Sequence, residues 1–141
     1  ELATRIANSP LRDRIHLAGW QRDVPGILKS ADVFALSSRF EGMPNAVLEA
    51  GAAGVPVVAT EAEGVAEIVE NGGWLVGIGD QSGLAEALAE ALSDSEAAQN
   101  RAAQLQSVVS EKFTWDQVAS RYDQLYCDLL ETKPTASQWS S

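Results

Sequence analysis

The sequence predicts an α/β layered domain built on a mainly parallel sheet, and three observations lead there. Short apolar runs of strand length alternate along the chain with segments whose apolar residues recur at helical spacing. One of those runs, Val55-Pro56-Val57-Val58-Ala59-Thr60, is unbroken, as suits a parallel strand covered on both faces. With 141 residues, 45% hydrophobic and 21% charged, the chain has material for one core and not two.

Leu2, Ile6 and Ala7 fall on one helical face, and Pro10 closes that first helix. Ile15 and Leu17 alternate like a short strand. Val24 to Ala31 reads as a short helix or turn, and Asp32-Val33-Phe34-Ala35-Leu36 as a strand ending in Ser37-Ser38. After the loop Arg39-Phe40-Glu41-Gly42-Met43, Pro44 suits the first position of a helix, where its missing N–H costs nothing. Asn45 to Ala53 continue that helix, and Gly54 is a good C-terminal stop. The Val55–Thr60 strand follows, then a short helix over Gly64 to Glu70 stopped at Asn71-Gly72-Gly73. Trp74-Leu75-Val76 is one more strand before a turn at Gly77-Ile78-Gly79-Asp80. The rest is helical: Leu84, Leu88 and Leu92 repeat every four residues, and Leu105, Val108 and Val109 form a second stripe. Thr114-Trp115-Asp116-Gln117 matches a capping box opening a long helix with Trp115, Val118, Tyr122, Leu125 and Leu129 on one face. From Thr132 onward Pro, Ser, Thr and Gln predict a disordered tail, so the domain spans 1–131 and the tail 132–141.

Twenty Asp and Glu against ten Lys and Arg leave a net charge of −10, which repels phosphate backbones and anionic lipid and argues against nucleic acid as a partner. The apolar runs fall far short of the roughly 20 residues that span a bilayer, so no transmembrane segment is expected. A single cysteine, Cys127, and a single histidine, His16, are too few for a Cys/His zinc site. One unpaired cysteine suits a reducing, cytoplasmic compartment, where Cys127 is expected to be inert. The chain opens on Glu1 instead of Met and is expected to be a piece of a longer protein.

The chemistry is expected between Ser37 and Glu49. In open parallel α/β sheets, ligands bind where the carboxyl ends of strands meet loops and helix N-termini. Gly42 lets backbone approach a ligand closely, and the helix opening at Pro44 offers free N–H groups on Asn45 and Ala46 and a positive dipole end, which together favour an anion such as a diphosphate. Glu41 stands before this helix and Glu49 about one turn inside it. Carboxylates accept hydrogen bonds from paired hydroxyls, so two of them flanking an anion site suit a ligand with hydroxyls at both ends and phosphate between, the layout of a nucleotide sugar.

Glu41-Gly42-Met43-Pro44-Asn45-Ala46-Val47-Leu48-Glu49-Ala50 resembles the glutamate, seven residues, glutamate signature of the retaining GT-B glycosyltransferases, a family typified by bacterial lipopolysaccharide, capsule and exopolysaccharide transferases. Ile15 to Trp20, Ala31 to Ser38, Gly54 to Thr60, Gly64 to Val69 and Phe113-Thr114-Trp115 are similar to further family landmarks in the same order. The resemblance implies the C-terminal, donor-binding half of a GT-B fold: a Rossmann-like parallel sheet with flanking helices. It implies a sugar donor activated as a nucleoside diphosphate, a glycan or lipid-linked acceptor held by an N-terminal domain, and no cofactor or metal. Residue by residue, it implies that Glu41 faces the transferred sugar and supports oxocarbenium charge electrostatically instead of attacking as a nucleophile. The backbone from Gly42 through Met43 and Pro44 to Asn45 would meet sugar hydroxyls, the amides near Val47 and Leu48 the diphosphate, and Glu49 the ribose, with Gly19 and Trp20 near the base.

The family's domain normally opens with two strands that bring an Arg and a Lys to the diphosphate and lie between the Ile15 and Val33 strands. None of this falls within the chain, so two strand edges are expected to be unpaired and the segment alone inactive. Other residues have blander readings. His16 points to solvent; Arg39 meets either phosphate or a surface ion pair; Glu67 is either a ligand contact or a helix-surface charge; Trp20 either packs or lies by the base. Trp115, Tyr122 and Tyr126 read as core or domain-packing residues. The competing functions are an NDP-sugar epimerase or glycan phosphorylase on the same fold, and a degenerate, non-catalytic binding module.

Overall fold

The computed structural model describes residues 1–70 and 72–131. Among these residues seven α-helices and three strands follow in the order α1 (Leu2–Ala7), α2 (Val24–Lys29), β1 (Phe34–Leu36), α3 (Asn45–Ala52), β2 (Val57–Thr60), α4 (Val65–Val69), β3 (Trp74–Val76), α5 (Gln81–Ser93), α6 (Ser95–Lys112) and α7 (Trp115–Glu131), with one 3-10 turn at Arg12–Arg14. The sheet has the order β1-β2-β3 and is parallel throughout, Ala35 pairing with Val58 and Ala59 with Leu75. The α/β class expected from the alternation is what the chain adopts.

The central strand explains why Val55–Thr60 is apolar throughout. Successive residues of a strand point to opposite faces. Val57 and Ala59 join one core with α3, α4 and α6, through Val47, Ala50, Ile68 and Leu105, whereas Val58 joins a second core with Trp74, Ala87, Ala91 and Ala98. All four residues of β2 are buried.

Three helices are started by aspartates that accept from a backbone N–H three residues on: Asp23 from Gly26, Asp80 from Gly83 and Asp94 from Ala97, each at 2.9 Å. The Gly83 amide and the Ser82 hydroxyl hold the Asp80 carboxyl below its ordinary value. Thr114 accepts from the Gln117 N–H at 3.4 Å, the first half of the expected capping box.

Several expectations need correcting. Ile15 and Leu17 form no strand: Ile15 is extended and the segment exposed, and among the described residues no strand lies alongside to complete a ladder. His16 faces solvent, but from this loop. The outer edge of β1 is unpaired among the described residues, as expected. Pro44 is the N-cap of α3 and not its first residue, because its carbonyl already accepts from the Val47 and Leu48 amides. Leu92 is 62% exposed, and the core face of α5 is carried by Ala87 and Ala91 with Leu84 and Leu88 half-buried. A repeat of four drifts about 40° per step around a 3.6-residue helix, so the third leucine has rotated off the core. Trp115, Tyr122 and Tyr126 are not core residues of this chain, at 88%, 55% and 59% exposed. Asn71, and the tail from Thr132, lie outside the described residues. No helix among the described residues is long and apolar enough to cross a membrane.

One clamp across the second core is testable. Arg101 of α6 lays its guanidinium 4.5 Å from the Trp74 ring centroid and donates from Nη1 to the Gly73 carbonyl at 2.6 Å, tying α6 to the start of β3. Arg101→Ala removes a cation–π contact and a charge-assisted hydrogen bond, for an expected loss of about 2 kcal/mol. The urea midpoint should fall with the m-value unchanged.

Candidate functional site

Parallel strands deliver their carboxyl ends to one edge of the sheet, so the loops after β1 (37–44), β2 (61–64) and β3 (77–80) gather there. The first two are fastened together. Thr60, the last residue of β2, is only 4% exposed, and its hydroxyl donates to the Ser38 carbonyl at the end of β1. Ser38 Oγ in turn donates to Glu41 Oε1 at 2.6 Å, and Glu41 is half-buried. Gly64, the N-cap of α4, holds a left-handed φ of 80°, and a Cβ there would stand 2.8 Å from the Gly42 carbonyl oxygen. The β2–α4 loop can lie this close to the Glu41-Gly42 backbone only because residue 64 has no side chain.

Gly64→Ala therefore meets both strain and a clash, and is expected to cost about 1–3 kcal/mol and to displace the Gly42 loop. Amide chemical-shift changes reaching Glu41 and Gly42, together with a lowered thermal midpoint, would check it. Shifts confined to α4 would contradict it.

Beyond Glu41 the loop is open. Gly42 has no left-handed φ, and nothing lies within 4 Å of where its Cβ would stand. Met43 is 56% exposed and Pro44 buried, so the proline roots the loop while the two residues before it face outward. Within the first turn of α3, the Asn45 N–H donates to Met43 O, and those of Val47 and Leu48 to Pro44 O. Among the described residues this leaves the Ala46 N–H as the unengaged amide of the turn, so the Asn45, Val47 and Leu48 amides would have to be shared with or released to an anion. No acidic side chain occupies that first turn to offset the helix dipole.

Val47 is fully buried and Leu48 half-buried, so their side chains anchor α3 and only their amides face the site edge. Glu49 is exposed, with no hydrogen-bond or ion-pair partner among the described residues, and lines a cleft of about 220 Å³ with Pro25, Leu28 and Lys29 of α2. Gly19 and Trp20 are not joined to this group by any hydrogen bond among the described residues, and Trp20 is 86% exposed. Trp20 does not pack into the core of this chain. Arg39 is exposed and makes no ion pair among the described residues; it borders a second cleft of about 270 Å³ with Ser37, Thr60, Gly79 and Asp80 at the strand ends. Glu67 is exposed on α4, and Cys127 is a free, exposed thiol.

The structure fastens Glu41 to Ser38 and sets Gly42, Met43 and Pro44 directly before Asn45, Val47 and Leu48 of α3, whereas Glu49 lines the separate cleft with α2 and no hydrogen bond among the described residues joins it to Glu41. It adds two residues that sequence reasoning passed over, the Ser38 hydroxyl and Thr60. Thr60 had one legible signal: a polar residue closing an otherwise apolar, buried strand must find an internal partner.

The family profile described as "Glycosyl transferases group 1" matches residues 1–94. The chain is 32% identical over 127 residues to the N-acetyl-alpha-D-glucosaminyl L-malate synthase of Bacillus anthracis, covering 89% of this chain and 33% of that protein. It is 34% identical over 136 residues to a lipopolysaccharide core biosynthesis glycosyltransferase of Rhizobium meliloti, covering 95% and 38%. The chain therefore spans about a third of the length of these curated relatives. Among solved structures, the HepE protein of Anabaena in complex with UDP-glucose superposes with a TM-score of 0.84 at 27% identity, over 91% of this chain and 36% of that one. The C-terminal domain of a glycosyl transferase group 1 family protein from Francisella tularensis superposes with a TM-score of 0.63 at 26% identity, over 72% and 53%.

Proposed function

The chain belongs to the glycosyl transferases group 1 family, and we propose on that footing that it is the nucleotide-sugar-binding part of a retaining glycosyltransferase. Its fold is the Rossmann-like, C-terminal half of GT-B enzymes. The observation that carries the proposal is the pairing of a carboxylate held at a strand end, Glu41 on Ser38, with an adjoining helix whose first turn keeps the Ala46 N–H unengaged and whose Glu49 is unpartnered among the described residues. Relatives named for lipopolysaccharide core, amylovoran and colanic acid biosynthesis support bacterial surface polysaccharide as the product class.

In this reading the donor's diphosphate lies over the α3 N-terminus, its ribose hydroxyls donate to Glu49, and its sugar sits against the Gly42–Asn45 backbone. The base lies toward Gly19 and Trp20. The bond from the anomeric carbon to the diphosphate oxygen breaks, and positive charge grows on the sugar ring beside Glu41. An acceptor hydroxyl, supplied through a further domain, attacks from the face that the diphosphate leaves and gives its proton to the departing phosphate oxygen. The new bond keeps the anomeric configuration. Charge is neutralised by backbone amides and cationic side chains of the complete enzyme, without a resident metal, and the reaction takes place in the cytoplasm.

The test is product analysis of the full-length gene product with NDP-sugar and a glycan or lipid-linked acceptor, in the presence of a chelator. A transferred sugar with the donor's anomeric configuration is expected. An inverted product, or an epimerised donor without transfer, would refute the reading.

A further inference from the structure

Resting on that reading of Glu41, we propose that Ser38 and Thr60 form a two-step positioning relay which fixes the Glu41 carboxylate toward the reacting sugar. The relay begins in the core. Thr60 closes the buried strand β2, and its hydroxyl, enclosed at 4% exposure, has two acceptors within reach: the Ser38 carbonyl, and the Leu36 carbonyl at 3.5 Å. Leu36 is the last residue of β1 and Ser38 lies two residues past it, β1 being the neighbouring strand in register with β2 through Leu36 and Ala59. Thr60 thereby extends the pairing of β1 with β2 past the last ladder position and sets where the chain leaves the sheet.

Ser38 is the residue so fixed. Its Oγ donates to Glu41 Oε1 at 2.6 Å, a charge-assisted length, across a loop of only three residues. One carboxylate oxygen is thus taken, and no hydrogen bond among the described residues engages Oε2. Without the relay, Glu41 sits on a loop between the 87% exposed Phe40 and Gly42, whose side-chain position is empty, and nothing else among the described residues bonds its carboxylate. A carboxylate that stabilises developing charge acts only when its position is set before the charge appears. Ser38 and Thr60 are positioning residues: neither needs to touch the substrate, and the effect of each passes through Glu41.

The test uses steady-state kinetics of the full-length gene product carrying Ser38→Ala, Thr60→Val, Thr60→Ser, Glu41→Ala, and Ser38→Ala combined with Glu41→Ala. Ser38→Ala is expected to lower kcat about tenfold, with donor KM within about twofold and an unchanged melting temperature. Thr60→Val should act in the same direction, and Thr60→Ser, which keeps the hydroxyl, should restore turnover. On the Glu41→Ala background Ser38→Ala should add nothing, since a relay with no carboxylate to hold has no effect. Wild-type kcat in Ser38→Ala beside an impaired Glu41→Ala enzyme would overturn the relay and leave the proposed function standing. An equal loss from Ser38→Ala on both backgrounds would also overturn it. Unimpaired turnover in Glu41→Ala itself would remove the underlying reading of the site together with the relay.

Discussion

Glu41→Ala in the full-length gene product is expected to lower kcat by about 10²–10³-fold while donor affinity stays within about threefold. The side chain is half-buried at the end of β1, fastened by Ser38 and followed directly by the open Gly42 and the N-terminus of α3. If the bound donor places its sugar over this loop, the carboxylate lies where positive charge develops as the diphosphate departs. Such an interaction is stronger in the transition state than in the ground state, so its loss falls on turnover more than on binding. Glu41→Gln separates charge from shape: the amide keeps a hydrogen-bonding group near Ser38 and removes the negative charge, and most of the loss should persist. A Gln variant close to wild type would mean that Glu41 orients a hydroxyl and does not stabilise charge. Single-turnover kinetics at saturating donor would distinguish the two.

Glu49→Ala has the next largest expected effect, and it falls on the other parameter. Glu49 is the fifth residue of α3, about 6 Å along the helix axis from its first. Its carboxylate is exposed beside the cleft that α2 closes with Pro25 and Leu28, and no protein group among the described residues occupies it. Hydrogen bonds from two ribose hydroxyls to a carboxylate contribute about 1.5–3 kcal/mol each when buried, less than additively here because the site is open. Donor affinity should therefore fall about 10–100-fold, with kcat at saturating donor little changed. Glu49→Gln, which retains an acceptor oxygen, should fall between. Titration of the intact nucleotide sugar and of the free nucleoside diphosphate should show the same loss, since the ribose is common to both.

The fold was legible wherever local pattern and tertiary environment agree. Val57 to Thr60 had to be covered on both faces, and Gly54 and Gly64 marked helix ends at which the structure adopts positive φ. The departures have a common cause in contacts beyond the pattern. Ile15 and Leu17 alternate correctly, but a strand needs a neighbour, and none of the described residues provides one. The stripe from Trp115 to Leu129 has helical spacing and forms a helix, yet spacing does not say what covers it, and Trp115 and Tyr122 are exposed. The candidate run from Glu41 to Glu49 was readable as a strand end, loop and helix start because strand, glycine, proline and helix stand consecutively in the chain. Thr60 lies 22 residues from Ser38, and only the parallel pairing of β1 with β2 brings its hydroxyl to that carbonyl.

Binding of a nucleoside diphosphate sugar at the α3 edge of this chain through Glu49 is measured by ligand-observed NMR. The chain, shown to be folded by circular dichroism, is titrated against UDP-, GDP- and ADP-sugars with folded Glu49→Ala as control. Saturation transfer to the ribose and base protons of one nucleotide class is expected, and its loss in the variant. Transfer from no nucleotide, or equal transfer to wild type and Glu49→Ala, would contradict binding through Glu49.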